Sequence, residues 1–282
     1  MFKIITDTGA DLTQDQIVEY GLEMLPLGVV IDNDEFLDGE TIQPKDVYDA
    51  MRAGKTPKTF QIEAARLEQC FRQHLESEIP FLYLAFSGEL SGTYQTAVMI
   101  GNLLKEEYPN STFHILDTRA ASVGQGLFVK TVAEYGQDHT YEETVAYATS
   151  LVGKIRHLFT VESLEYLMRG GRVSKASAFI GDLLTILPLL TVEDGKLVPI
   201  EKVRGHKKVL RRIVEWMTES KPLVEGGHVF IGHGDDPVKA DQFEALLREH
   251  VNPASVTKTI VGSAIGAHTG PGLLVVGYFE MK

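Results

Sequence analysis

The 282-residue chain has one cysteine, no apolar run long enough for a bilayer, and no excess of basic residues. The lone thiol, Cys70, excludes an internal disulfide and fits a reducing compartment. A membrane span needs roughly 18 consecutive apolar residues, which no segment supplies. The formal net charge of −12 argues against a general role on nucleic acid and leaves at most transient contact with anionic membranes. The opening MFKIITDTGADL meets an acid at its seventh residue, unlike a secretory leader, so a cytoplasmic location is expected. Repeats, low-complexity tracts and Pro- or Ser-rich linkers are also missing. What remains, 44% hydrophobic and 23% charged, is the composition of a globular chain that buries a core.

The first half alternates short β-rich runs with helical stretches. Strands are expected over Phe2 to Thr6, Met24 to Ile31, Phe81 to Phe86 and Phe113 to Leu116. Helices are expected over Lys45 to Ala53, Ile62 to Leu75, Thr93 to Tyr108 and Ala121 to Tyr135, with a further one after Asp11, read as its cap. Such alternation predicts a mainly parallel sheet with helices on both faces. The pattern changes after about Val152. Strands near Lys196 to Ile200, His228 to Gly232, Val256 to Val261 and Leu273 to Tyr278 then surround helices at Lys207 to Met217 and Pro237 to His250. The expected architecture is therefore an N-terminal α/β domain (1–155) and a C-terminal α+β domain (156–282) with a mainly antiparallel sheet. A crevice between domains is a common ligand site.

Three segments carry chemistry. In Phe81–Phe86 followed by Ser87-Gly88-Glu89-Leu90-Ser91-Gly92-Thr93, a strand feeds a glycine-containing loop and a helix start. A helix N-terminus presents unpaired N–H groups and favours an anion, and Ser91 and Thr93 add hydroxyls. Ser91 reads equally as a plain N-cap. The second segment, Lys58-Thr59-Phe60-Gln61-Ile62-Glu63, opens the next helix, with Thr59 as cap or as donor. The third runs from Gly262 to Gly272 and reads as a glycine-rich turn holding one imidazole, His268, just before a strand.

Together these segments resemble the DegV family, which includes the fatty-acid-binding subunit of bacterial fatty acid kinase. The resemblance runs through ITDTGADL, LPLGVVIDNDEFLDGETI, SGELSGTYQTA, TRAASVGQG, LEYLMRGGRVSKASAFIGDLL, LVPIEKVRGHKK and IGAHTGPG. It implies one long-chain fatty acid in a tunnel between the domains, its carboxylate bound by Thr59, Ser91 and His268, with Gln61, Gly92 and Thr93 beside them. It implies no cofactor, no metal and no catalytic residue in this chain. It also implies an ATP-dependent fatty acid kinase as partner, to which the acid is presented for acyl phosphate formation. Where the family usually has Thr-Ser-Gln-Pro-Ser, this chain has Thr59-Phe60-Gln61-Ile62-Glu63, and Phe86 stands where a serine is frequent. Leu183, Leu184, Ile186, Leu187, Leu189 and Leu190 are candidates for the tunnel wall or for plain core.

Between Lys196 and Arg212 seven cations (Lys196, Lys202, Arg204, Lys207, Lys208, Arg211, Arg212) face one acid, Glu201. A charge run is ordinarily a solvated face, and the competing reading is a docking surface for an acidic partner. The resemblance favours docking through Arg172 and Arg204, with Arg169 and Lys202 near them and Lys175 adding charge. The main enzymatic rival is a serine-type esterase or thioesterase using Ser91 and His268, although Glu89 occupies the place of the first glycine of a nucleophile elbow. A phosphate-binding module lacks the Walker lysine. A metal site from His228, His233, Asp235 and Asp236 is the weakest rival.

Overall fold

The computed structural model describes residues 2–173 and 186–281. The chain begins β1 (Lys3–Asp7), α1 (Gln14–Glu19), β2 (Glu23–Leu25), β3 (Gly28–Ile31) and β4 (Asp34–Leu37). Next come α2 (Pro44–Arg52), β5 (Lys58–Phe60), α3 (Ala64–Glu76), β6 (Phe81–Ala85) and α4 (Thr93–Glu107). β7 (Phe113–Asp117), α5 (Ser122–Gly136) and α6 (Tyr141–Leu151) complete the first half. The second half runs β8 (Ile155–Thr160), α7 (Glu165–Arg169), β9 (Ile186–Glu193), β10 (Lys196–Arg204) and α8 (His206–Glu215). It ends with β11 (His228–His233), α9 (Pro237–His250), β12 (Ser255–Ile260), α10 (Ser263–Thr269) and β13 (Leu274–Phe279). Among the described residues no helix is long and apolar enough to cross a membrane.

The first sheet, ordered β2-β1-β6-β7, is parallel throughout. Its central strand Phe81–Ala85 is buried at every residue, which explains its unbroken apolar sequence. Ile4, Leu82 and Leu84 point to one core, while Ile5, Phe81, Tyr83 and Ala85 point to another with Leu67 and Phe71 of α3. The second sheet, ordered β10-β9-β8-β13-β11-β12, is antiparallel except between β11 and β12. Here Phe159, Leu190, Phe230 and Val275 face the first sheet's core. Their neighbours Leu158, Leu189, Val229, Ile231, Leu274 and Val276 face α8 and α9. The layers are thus α3 and α4, parallel sheet, α5, mixed sheet, then α8 and α9.

Helix α5 lies in the middle, buried almost all round. It approaches the second sheet so closely that a Cβ on Gly277 would sit 2.7 Å from the Gly124 Cα, and one on Gly124 would meet the His157 ring at 2.0 Å. Only glycine fits at either place.

Several local expectations fail for identifiable reasons. Thr13, not Asp11, caps α1: its hydroxyl accepts from the Gln16 amide, and the Gln16 side chain accepts from the Thr13 amide, a capping box. Asp11 is instead in left-handed backbone, and its carboxylate accepts from the Ser122 hydroxyl and the Gly262 amide. The single strand expected over Met24 to Ile31 is two strands, β2 and β3, in different sheets on either side of Pro26-Leu27. β3 joins β4 and β5 in a small third sheet. Lys58–Phe60 is therefore a strand; helix α3 starts only at Ala64, and Thr59 caps nothing. The turn expected around His268 is the helix α10. We propose the division at residue 155 because Ile155 opens β8, with α10 of the second half packed on α2 and β3 of the first. Lys175, Leu183 and Leu184 lie outside the described residues.

Candidate functional site

Thr59 sits in the middle of β5, opposite Val29 of β3. That pairing points its hydroxyl at α10, where Thr59 Oγ1 lies 2.7 Å from His268 Nε2. Helix α10 is short, and distant residues hold its start. The Asp38 carboxylate accepts from the Ser263 and Ala264 amides at 2.9 and 3.0 Å, and Asp11 accepts from the Gly262 amide at 2.8 Å. Both acids thus satisfy N–H groups that a helix start leaves without partners. Tyr48 of α2 donates its hydroxyl to the Val261 carbonyl at 3.1 Å. A Cβ on Gly266 would sit 2.8 Å from that tyrosine oxygen, so glycine lets α10 settle on α2.

Ser91 lies on the loop before α4. Its Oγ accepts from the Thr93 amide at 3.2 Å and lies 2.9 Å from Thr93 Oγ1. Thr93 is fully buried, and its own oxygen accepts from the Ile62 amide at 3.2 Å. When the Thr93 hydroxyl donates to Ser91, the Ser91 proton is left for another acceptor. Thr93 is therefore a support behind Ser91, not a wall residue. Gln61 donates to Thr96 Oγ1 at 2.8 Å, and a Cβ on Gly92 would strike the Gln61 side chain at 2.1 Å. The two loops abut there.

Thr59, Gln61, Ser91, Gly92 and His268 line one cavity of about 170 Å³ between the layers. Its remaining wall is mostly apolar: Leu27, Phe60, Phe86, Leu90, Phe159, Leu167, Val192, Leu197, Leu273 and Val275 contribute. Ile186, Leu187, Leu189 and Leu190 are not among its lining. Leu187 and Leu189 pack toward α8, and Leu190 is buried in the central core. Val192 and Leu197, facing each other across the β9–β10 pairing, take that place, a placement that strand alternation alone signals. Phe60 stacks over Gly28: a Cβ there would meet its ring at 2.1 Å.

The polar side of the cavity has an electrostatic character the sequence reading missed. Arg172 lines it, held by the Leu90 carbonyl at 3.2 Å and by the Gly170 carbonyl. Burial, and then the nearby Arg172 guanidinium, push the His268 imidazole down to about 4. The histidine is thus neutral at pH 7, and the site's standing positive charge is Arg172. A second, outer recess shares Thr59, Arg172 and His268 with the cavity and adds Thr56, Lys58, Tyr166 and Arg169. The Thr59–His268 pair stands between the two spaces. Arg169 bonds Thr56 at 3.0 Å and pairs with Glu165.

Ser91 and His268 are not hydrogen-bonded to each other, since their partners are Thr93 and Thr59. The nucleophile–base contact of a serine hydrolase is thus missing from this geometry. The suggested metal residues also go elsewhere. His228 bonds Ser255, His233 accepts from the Asp236 amide, and Asp235 pairs with Arg52. The basic run is partly neutralised: Lys196 faces Glu89, and Arg212 bridges Glu201 and Glu215. Val173 bridges Leu197 at the start of β10, whereas Arg204 ends that strand seven residues on. At strand spacing this puts Arg172 and Arg204 roughly 20 Å apart.

An apolar cavity ending in hydroxyls, an imidazole and a guanidinium suits an amphiphile with an acidic head. Comparison with known proteins points the same way. A DegV domain-containing protein of Clostridium perfringens is 36% identical over 279 residues, covering 98% of this chain and 96% of the relative. A DegV lipid-binding protein from Thermotoga maritima has a TM-score of 0.88 at 27% identity, with 100% of this chain and 99% of that one covered. A DegV protein from Thermus thermophilus, described as binding fatty acid, has a TM-score of 0.88 at 28% identity over 99% of both chains. The model of the DegV family, an uncharacterised protein family by its description, matches residues 1–281, and the chain belongs to that family.

Proposed function

We propose that this chain binds one long-chain fatty acid, with the carboxylate at Thr59, Ser91 and His268 and the tail in the apolar cavity. The observation that carries the reading is the 2.7 Å Thr59–His268 contact at the polar end of a mostly apolar space. A carboxylate taken out of water is tolerable only when hydrogen-bonded and countered by positive charge. Thr59 and Ser91 supply hydroxyl donors, Arg172 supplies charge, and His268 supplies a second charge if it takes up a proton. The tail contributes about 0.8 kcal/mol per buried CH₂, roughly 10 kcal/mol gross for a long chain before ordering costs. Similar DegV structures described as lipid- and fatty-acid-binding support the same ligand class.

In this reading the chain does no chemistry alone and serves, in the cytoplasm, as the substrate-presenting partner of an ATP-dependent fatty acid kinase. The outer recess favours presentation, because it reaches the far side of the Thr59–His268 pair and carries Lys58 and Arg169. Arg172, Arg169, Lys202 and Arg204 are the proposed contacts. Their spread, from Arg169 at the end of α7 to Arg204 at the end of β10, calls for a broad docking face, not one small patch. Arg204→Glu should weaken kinase docking and leave lipid affinity unchanged.

The ligand is tested by denaturing the purified protein, extracting it with organic solvent and identifying the extract by mass spectrometry. A fatty acid at about one per chain is the expected result. A protein that retains none, and binds none when offered it, refutes the reading.

A further inference from the structure

Far from the lipid cavity, three metal-ligating side chains of different chemistry meet between strand β2 and helix α3. Cys70 and His74 stand four residues apart on α3, hence on one face, and Glu23 reaches them from the edge strand β2. Cys70 Sγ lies 3.1 Å from Glu23 Oε1, and His74 Nε2 lies 2.7 Å from Glu23 Oε2. One ligand atom from each residue lies within 4.8 Å of the other two. Cys70 and His74 are buried, at 6% and 7% exposure, while the Glu23 side chain keeps 30% of its surface in solvent. The cluster is therefore closed on the protein side and open on one.

We propose that Glu23, Cys70 and His74 form a binding site for a zinc-class divalent ion, with water completing the coordination. Sulfur, imidazole nitrogen and one carboxylate oxygen are a donor set for zinc or cobalt, and a poor one for magnesium or calcium. With bonds of about 2.0–2.3 Å, tetrahedral donors stand roughly 3.3–3.6 Å apart, so binding draws the three donor atoms, now within 4.8 Å of one another, to that spacing. The fourth position faces the solvent side of Glu23, as in three-ligand zinc sites.

The proton balance follows from the geometry. Burial, and then the Glu23 carboxylate, hold the Cys70 thiol well above its usual range, so without metal it is protonated and donates to Glu23. Metal binding breaks the S–H bond, forms a metal–sulfur bond and releases one proton to solvent. His74 binds through Nε2, so the proton that Nε2 gives to the Glu23 carboxylate must leave that nitrogen, moving to Nδ1 or passing to solvent. The other groups acting on this thiol are Lys3 of β1 and Arg66 of α3, and the thiol in turn acts on Tyr83 of β6. Lys3 bonds the Gly21 carbonyl and Arg66 pairs with Glu40. The bound ion would pin the edge strand to α3 and make the melting temperature depend on metal concentration.

The test uses the metal-stripped full-length protein and Co²⁺ as probe. Because Cys70 is the only cysteine, any thiolate-to-cobalt absorption in the near ultraviolet reports this site alone. One equivalent should produce that band, Zn²⁺ should displace it, and calorimetry in buffers of different ionisation enthalpy should detect the release of the thiol proton. Cys70→Ala should lose the band. Glu23→Gln, at a partly exposed side chain on an edge strand, should weaken binding about tenfold or more. Absence of the band in the unsubstituted protein, or equal Co²⁺ affinity in Glu23→Gln, overturns the proposal and leaves the trio as a hydrogen-bonded network only.

Discussion

Thr59 and His268, 209 residues apart in the chain, meet at 2.7 Å between the small third sheet and helix α10. The contact exists only if β5 pairs with β3 and if Asp38 and Asp11 hold the start of α10. The site is thus assembled by tertiary structure, and its properties can be perturbed from several directions.

Fatty acid affinity should fall as pH rises above about 5.5, where the free ligand is already ionised. His268 is held near 4 in the empty protein by burial and Arg172, and a carboxylate beside it raises that value. Between the two values, binding takes up a proton, so affinity drops by up to about tenfold per pH unit before levelling off. Calorimetric titration from pH 5.5 to 9 measures the slope, and His268→Asn should flatten it.

Replacing Arg172 separates its cavity role from any docking role. Arg172→Gln should raise the His268 pKa toward its ordinary 6.5, because the guanidinium is the second cause of its depression. The same change should weaken binding of the acid about tenfold or more, given roughly 1.5–3 kcal/mol for a charge-assisted contact. Imidazole NMR and lipid titration read the two effects independently of any partner.

Gly28 and Phe60 should be coupled. A Cβ on Gly28 would sit 2.1 Å from the Phe60 ring, so Gly28→Ala forces the ring into the cavity or strains β3. We expect a cost of about 1–3 kcal/mol and a loss of long-chain binding. Phe60→Leu in the same molecule should recover most of it, as a double-mutant cycle by urea denaturation would measure.

Asp11 contributes a pH dependence of the opposite kind to an ordinary carboxylate. Burial pushes it up to about 8 despite its bonds to Ser122 and Gly262. A group whose folded value exceeds its unfolded value adds stability below the unfolded value, lost as pH rises through the folded one. Asp11→Asn removes that loss. Its stability relative to the unsubstituted protein should therefore increase steadily from about pH 4 to about pH 8, as denaturation at several pH values will record.

Much of the frame was legible because local pattern and burial agree. Phe81–Ala85 reads as a strand since both its faces are covered, and the alternation after residue 155 reflects a sheet with distinct faces on α5 and on α8 and α9. The site was less legible. Lys58–Phe60 is three residues long and is a strand only through β3, so Thr59 looked like a cap. Gly262, Gly266 and Gly270 made α10 look like a turn, because its start is satisfied by Asp38, some 225 residues away. Arg172 was assigned to a docking face by the family resemblance, and its guanidinium is held at the cavity by two backbone carbonyls. Thr59, Ser91 and His268 came from the family resemblance, and nothing in local propensity brings them together.

The central claim is that the polar end of the cavity recognises a carboxylate. It is tested most directly by comparing a long-chain fatty acid with its methyl ester in the unsubstituted protein and in Thr59→Val, Ser91→Ala and His268→Ala. The account predicts about tenfold or greater preference for the acid, lost in the three variants while tail-driven binding of the ester persists. Equal affinity for acid and ester, or an undiminished preference in all three variants, would contradict it.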